Sequence, residues 1–252
     1  MVCTTFIAQG LLDVYGQTRD EQCLDMAVSA TNYILGDLYW NSGNGRCGFF
    51  YPIPHFENQV HNSNLEAAAL LCRVSKLTGD EKYVESALAA TRYAVSQQFE
   101  NGRWAYGESP KQQWTDNFHT GFNLSSLQSI GESLATTEFD DAIQCGLQFY
   151  LSHFFRDDGA VGYFYDRFYP IDTHCIAQSI ITLLDLKSLS PDNVVLAWKV
   201  FEWAVARMWD DDEGYFYYRI LRTVTIRTSY MRWTQAWMLL ALSSLLLEAH
   251  DQ

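Results

Sequence analysis

One polar position recurs inside successive apolar helical patterns of this 252-residue chain, at Gln9, Glu66, Asn123, Gln178 and Gln235. The intervals are 57, 57, 55 and 57 residues. A second marker of a different kind keeps the same rhythm. The glycine of an aromatic-rich loop falls at Gly45, Gly102, Gly159 and Gly214, at intervals of 57, 57 and 55. Two unrelated markers that share one period, and lose two residues at the same stage, describe a true internal repeat. A chain of this kind folds as stacked copies of one supersecondary unit, because each unit alone leaves its apolar face uncovered.

Each unit reads as helix, tight turn, helix, loop. In the second unit, residues 62–78 are apolar at helical spacing through Leu65, Ala68, Ala69, Cys72 and Leu77. Thr78-Gly79-Asp80 then supplies a C-cap glycine and an N-cap aspartate, a stop followed at once by a start. The next helix runs to about Gln98 through Tyr83, Ala87, Ala90, Tyr93 and Ala94, and the loop 101–106 follows. The order recurs over 119–165 and over 174–217, where Pro191 suits a first helical turn. Only the runs Phe49–Tyr51 and Val224–Ile226 suggest short paired strands. The reading is all-α, with about nine helices in a single domain over 1–252. Helical hairpins of this length close, by analogy of fold, into an α/α toroid with one helix of each pair inside. Six such hairpins need about 90 residues more than the chain has, close to three helices. The expected form is therefore an incomplete ring lacking about three N-terminal helices. Its open edge would be covered by a second copy, as a homodimer.

Composition removes whole classes of function. Thirty acidic against 17 basic residues give a net charge of −13. No Lys/Arg cluster is longer than a pair, so nucleic acid is not an expected partner. Apolar stretches break well before the roughly 18 residues of a bilayer span, and no signal-peptide pattern opens the chain. The six cysteines form no CxxC, and Cys72 and Cys145 lie in helical patterns as small hydrophobes, so a reducing, cytoplasmic setting is expected. No HExxH or close His pair argues for a metal, and no GxGxxG or P-loop for a nucleotide, so no cofactor is expected. Aromatic residues make up 15% of the chain, and many sit in the glycine loops, where sugar rings would stack; ordinary packing is the alternative for any one of them.

Function should gather where each repeat begins its inner helix. Four residues ahead of the repeated polar position stand Thr5, Asn62, His119, His174 and Met231. Residues four apart share a helix face, so Asn62/Glu66, His119/Asn123 and His174/Gln178 point the same way. Asp116 and Asp172 precede the two histidines; each also suits an N-cap. Glu66 puts a carboxyl where the other repeats carry amides. Glu66, Asp116, His119, Asp172, His174 and Tyr230 are the candidate catalytic residues. Asn62, Trp104, Tyr106, Trp114, Asn117, Asn123, Gln178, Arg232, Trp233 and Gln235 are the candidate substrate-binding residues.

The segments WTDNFHTGFN (Trp114–Asn123), YPIDTHCIAQ (Tyr169–Gln178) and YMRWTQAW (Tyr230–Trp237) resemble a family of α/α-toroid proteins encoded in polysaccharide-biosynthesis clusters of bacteria and archaea. That family is similar in architecture to six-hairpin glycosidases and to the helical domain of glucuronyl C5-epimerases. Its members often carry the label delta-aminolevulinic acid dehydratase, whose β/α barrel this helical repeat forbids. The resemblance implies action on an oligo- or polysaccharide, uronate-containing or otherwise acidic. Glycoside-hydrolase-like chemistry would need two carboxylates, Glu66 with Asp116 or Asp172. Uronate epimerisation or elimination would use His119 or His174 with Tyr230 for the proton, and Arg232 and Asn62 for the carboxylate. A non-catalytic glycan-binding or scaffold role stands beside both. A terpene-cyclase-like toroid is echoed only by Asp210-Asp211-Asp212-Glu213, which reads better as a solvated loop.

Overall fold

The computed structural model describes residues 1–51 and 59–250. Among them are nine α-helices: α1 (Val2–Thr18), α2 (Glu21–Tyr33), α3 (His61–Thr78), α4 (Val84–Ser96), α5 (Asn117–Leu134), α6 (Asp140–Phe154), α7 (Thr173–Asp185), α8 (Asp192–Met208) and α9 (Ala236–His250). The turns between paired helices follow their local chemistry. Gly79 takes a left-handed conformation at φ 72° and its N–H returns to the Ser75 carbonyl, closing α3. The Asp80 side chain then accepts the Lys82 N–H and opens the short 3₁₀ turn Glu81–Tyr83 that leads into α4. Arg19 and Asp20 do the same between α1 and α2. Pro191 stands at the N-cap of α8, one residue before its first turn.

The repeated loop glycine has a backbone reason. Gly45, Gly102, Gly159 and Gly214 all have φ between 71° and 93°, a region that side-chain-bearing residues avoid. Each loop therefore reverses the chain at the same place. Around these turns the strands are two or three residues long: β1 (Tyr39–Asn41) with β2 (Cys47–Phe49), β3 (Ile171–Asp172) with β6 (Arg219–Ile220), β6 with β7 (Thr225–Ile226), and β4 (Trp209–Asp210) with β5 (Tyr215–Phe216). The first pair lies two residues earlier than the aromatic run suggests, because Phe50 and Tyr51 lie past its end.

The chain divides into two compact units, Met1–Gln113 with Ser126–Cys145, and Trp114–Ser125 with Gly146–Gln252. In each unit one helix is covered on nearly every side. In the first it is α3, whose residues His61 to Cys72 are all buried. In the second it is α7, buried from Thr173 to Ile180. Their partners α4 and α8 bury only one stripe, such as Ala197, Val200, Ala204 and Met208 on α8, as a half-exposed helix should. All six cysteines are free thiols; Cys72 is buried, whereas Cys145 is exposed because it lies off the Ile143–Leu147–Tyr150 stripe that α6 buries. No helix among the described residues is long and apolar enough to cross a membrane.

Candidate active site

Two carboxylates of the second unit do two jobs each. Asp116 precedes α5 and is 1% exposed. Its Oδ1 accepts the His119 backbone N–H at 2.9 Å, an N-cap bond. The same carboxylate contacts His119 Nδ1 at 2.9 and 2.8 Å. A carboxylate only accepts, so Nδ1 carries the proton in this pair and Nε2 becomes the basic atom of the ring. Asp172 repeats the capping bond one repeat later, accepting the His174 N–H at 2.9 Å. It does not hold a histidine ring. Its other oxygen takes Arg219 Nε at 2.7 Å and Nη2 at 2.6 Å. The β3–β6 register explains this, since Asp172 and Arg219 are directly opposed across the strands. Burial pushes the Asp172 carboxyl up, and Arg219 only partly offsets it. Burial also works against the Arg219 charge, but Asp172 outweighs it and the guanidinium rises.

Between the two histidines stands Phe118. Its ring centroid lies 4.1 Å from His119 and 4.5 Å from His174, and Trp237 stacks on the other side of His174 at 4.6 Å. His174 is thus held face to face between two aromatic rings. Burial, then the nearby His119, drives its pKa down to about 3, so the imidazole is neutral across the physiological range. Its Nε2 is buried with no hydrogen-bond partner. Phe118, Tyr163, Asp172, His174, Tyr218, Arg219, Tyr230 and Trp233 line a cavity of about 390 Å³. That is within the usual range for a small-molecule site. Arg219 lies over the faces of Tyr163 and Tyr218, at 5.2 and 4.7 Å.

The first unit carries a different polar cluster at the start of α3. Glu66 is 6% exposed, accepts Asn62 Nδ2 at 3.1 Å and is contacted by Thr5 Oγ1 at 3.4 Å. Burial raises its pKa to about 8, against the pull of these two bonds. His61, the first residue of α3, is lowered to about 4 by burial, with Glu108 opposing the shift. His61 Nδ1 and Asn62 Oδ1 are buried without partners.

The structure gathers Asp116, His119, Asp172, His174, Tyr230, Trp114 and Trp233 in the second unit; Trp114 meets the His119 ring edge-on at 5.5 Å. Glu66, Asn62, Trp104 and Tyr106 belong to the first unit. Several candidates are engaged elsewhere. Trp104 is 1% exposed and its Nε1 donates to the Ala94 carbonyl, a core position. Asn117 is fully buried and tied to Ser179 and Tyr150. Gln235 pairs both ends of its amide with the backbone of Phe216. Arg232 is exposed and does not line the cavity. The acceptor oxygens of Asn123 and Gln178 are buried and unpaired. Arg219, Tyr218 and Tyr163 are the residues that sequence reasoning missed. The one hint was the aromatic run Tyr215–Tyr218 ending on an arginine. Among the described residues no group of three His, Cys, Asp or Glu side chains is arranged to hold a metal ion.

No protein-family model matches the chain, and no match is found among curated proteins. Solved structures do match. An unsaturated glucuronyl hydrolase from Bacillus sp. GL1 is 16% identical with a TM-score of 0.75, over 96% of this chain and 73% of that one. A sugar epimerase from a ruminal bacterium is 10% identical with a TM-score of 0.79, over 98% and 74%. A family 76 glycoside hydrolase (mannosidase) from Bacteroides thetaiotaomicron is 13% identical with a TM-score of 0.75, over 98% and 71%. The chain has the α/α-toroid fold of six-hairpin-glycosidase-like proteins.

Proposed function

We propose that this chain is a carbohydrate-active enzyme, acting as one toroid domain, that moves a proton at a sugar carbon next to a carbonyl or carboxylate group. The observation that carries the reading is the Asp116–His119 pair standing one ring away from the neutral His174 and the Arg219-lined cavity. Asp116 orients the His119 ring and stabilises its charge after proton uptake, as a buried carboxylate does for a general base. The carbon-bound proton passes to His119 Nε2, and its electron pair moves toward the adjacent carbonyl oxygen. Negative charge then grows on that oxygen. Arg219, fixed by two bonds to Asp172, lines the cavity, from which His119 is set back behind the Phe118 ring, and is placed to stabilise that charge. Returning the proton to the opposite face inverts the centre. Returning it to the neighbouring carbon isomerises the sugar, and loss of a substituent instead gives elimination. Tyr218, Tyr230 and Trp233 supply the aromatic surface against which a sugar ring stacks. The fold likeness to proteins described as a sugar epimerase and a D-mannose isomerase supports this reading. The resemblance of the three motif segments supports an oligosaccharide of polysaccharide biosynthesis, or its sugar unit, as the substrate.

Hydrolysis is the second reading, favoured by Glu66. A carboxyl with its pKa near 8 carries a proton at neutral pH, as a general acid requires. Asp116 and Asp172 are already engaged, one by an imidazole and one by a guanidinium, which favours the histidine route. The two readings separate by product mass. Thermal shift over a panel of neutral and uronic oligosaccharides finds the ligand, and mass spectrometry follows its conversion. Proton transfer yields an isomer of unchanged mass or, in elimination, an unsaturated fragment; hydrolysis adds one water across the broken bond. A product carrying that water would overturn the histidine reading.

A further inference from the structure

Helix α9 has the composition of a buried helix and the exposure of a surface one. From Ala236 to Leu247 it contains no charged residue, a pattern that belongs to a helix covered on all sides. Only Met238, Ala241 and Leu245 are buried. Leu239, Leu240, Leu246 and Leu247 are 68, 49, 60 and 68% exposed, and Trp233 one turn upstream is 56% exposed. Trp233, Leu240 and Leu247 repeat at seven residues, as do Leu239 and Leu246, with the small Ala236 and Ser243 between them. The result is one straight apolar stripe about 20 Å long. In the first unit, α1 exposes two large apolar side chains at the same spacing, Ile7 and Val14, a smaller patch than that of α9.

We propose that a second copy of this chain covers the stripe, the two α9 helices packing antiparallel about a two-fold axis near Ser243. Three features favour a second copy. The stripe presents roughly 600 Å² of apolar surface, the size that marks an interaction site and most of the about 800 Å² per partner of a stable interface. The small residues at its centre allow close approach of two helices, while the leucines on either side interdigitate with their copies. Charge is also complementary in this orientation: Arg232 at the amino end of one α9 comes beside the carboxyl end of the other, where the last carbonyls carry partial negative charge. A pairing of this kind is isologous and closes on itself.

The test is sedimentation velocity across a wide concentration range, on the wild-type chain and on Leu240→Glu/Leu247→Glu. The wild type is expected to be dimeric and the double variant monomeric, with an unchanged circular dichroism spectrum. A second experiment does not depend on that variant. With the exposed thiols Cys3 and Cys145 replaced by serine, Ser243→Cys is expected to form a covalent dimer on mild oxidation, and Ile7→Cys is not. A monomeric wild type at every concentration, a dimer that survives both glutamates, or a Ser243→Cys chain that fails to cross-link overturns the proposal.

Discussion

The same step of the repeat is built in two ways. At the start of α3, in the first unit, a lone carboxyl is buried with an amide and a hydroxyl, and it keeps its proton to about pH 8. At the starts of α5 and α7, in the second unit, the Glu66 position holds an amide, Asn123 or Gln178, and a histidine stands one turn earlier at the Asn62 position, each preceded by a capping aspartate. The difference lies in what each carboxylate can pair with. Asp116 has an imidazole within reach, Asp172 has a guanidinium, and the groups hydrogen-bonded to Glu66 are neutral. Burial therefore wins at Glu66, is balanced in part at Asp172, and leaves the histidine ring oriented at Asp116. The first turns of one repeated helix thus supply an acid in one unit and a base in the other.

The largest expected effect separates these two chemistries. His119→Gln should lower turnover by about 10²–10⁴-fold, the usual contribution of a general base, measured as steady-state rates on the sugar identified by thermal shift. A comparable loss from Glu66→Gln with His119→Gln nearly silent would reverse the assignment. Next comes the pH dependence of stability. Glu66 binds its proton more tightly folded than unfolded, so its contribution is complete below about pH 4.5 and is lost as pH rises through 8. His61 and His174 are lowered to about 4 and 3, so their contribution is complete above about pH 6.5 and is lost on acidification through those values. Together these three groups place maximal stability near pH 6.5. Glu66→Gln should flatten the alkaline limb by up to about 5 kcal/mol in urea titrations, leaving the acid limb in place. An alkaline limb that survives this substitution would mean that Glu66 ionises freely.

A smaller effect probes how the second unit is held together. A Cβ at Gly121 would lie 2.7 Å from Thr182 Oγ1 and 2.9 Å from Gln178 Cγ. Gly121→Ala should therefore cost about 1–3 kcal/mol, read by chemical denaturation, because α7 must shift away. An unchanged midpoint would show that the contact relaxes without cost.

Much of the fold is legible in the residues. The loop glycines are spaced evenly because each occupies the same left-handed position, and Gly79-Asp80 ends one helix and starts the next as local capping chemistry dictates. The site was legible as far as local spacing reaches. Asp116 and His119 are three residues apart on one helical turn, so their contact follows from sequence. Asp172 and Arg219 meet through a strand pairing that joins residues 47 apart, and no local pattern announces it. The repeated polar position misled in another way, since equal spacing does not mean equal work. Gln9 accepts from Arg73, Gln235 holds the Phe216 backbone, and Asn123 and Gln178 keep unpaired buried oxygens. Which neighbour each finds depends on the loops above it, and those differ from repeat to repeat.

The histidine reading is tested most directly by solvent isotope wash-in. The chain is incubated in D₂O with the sugar that stabilises it, and carbon-bound deuterium is followed by NMR. The expected result is deuterium at one carbon beside the carbonyl or carboxylate, abolished in His119→Gln. Conversion of the sugar with every carbon-bound proton retained would contradict the account.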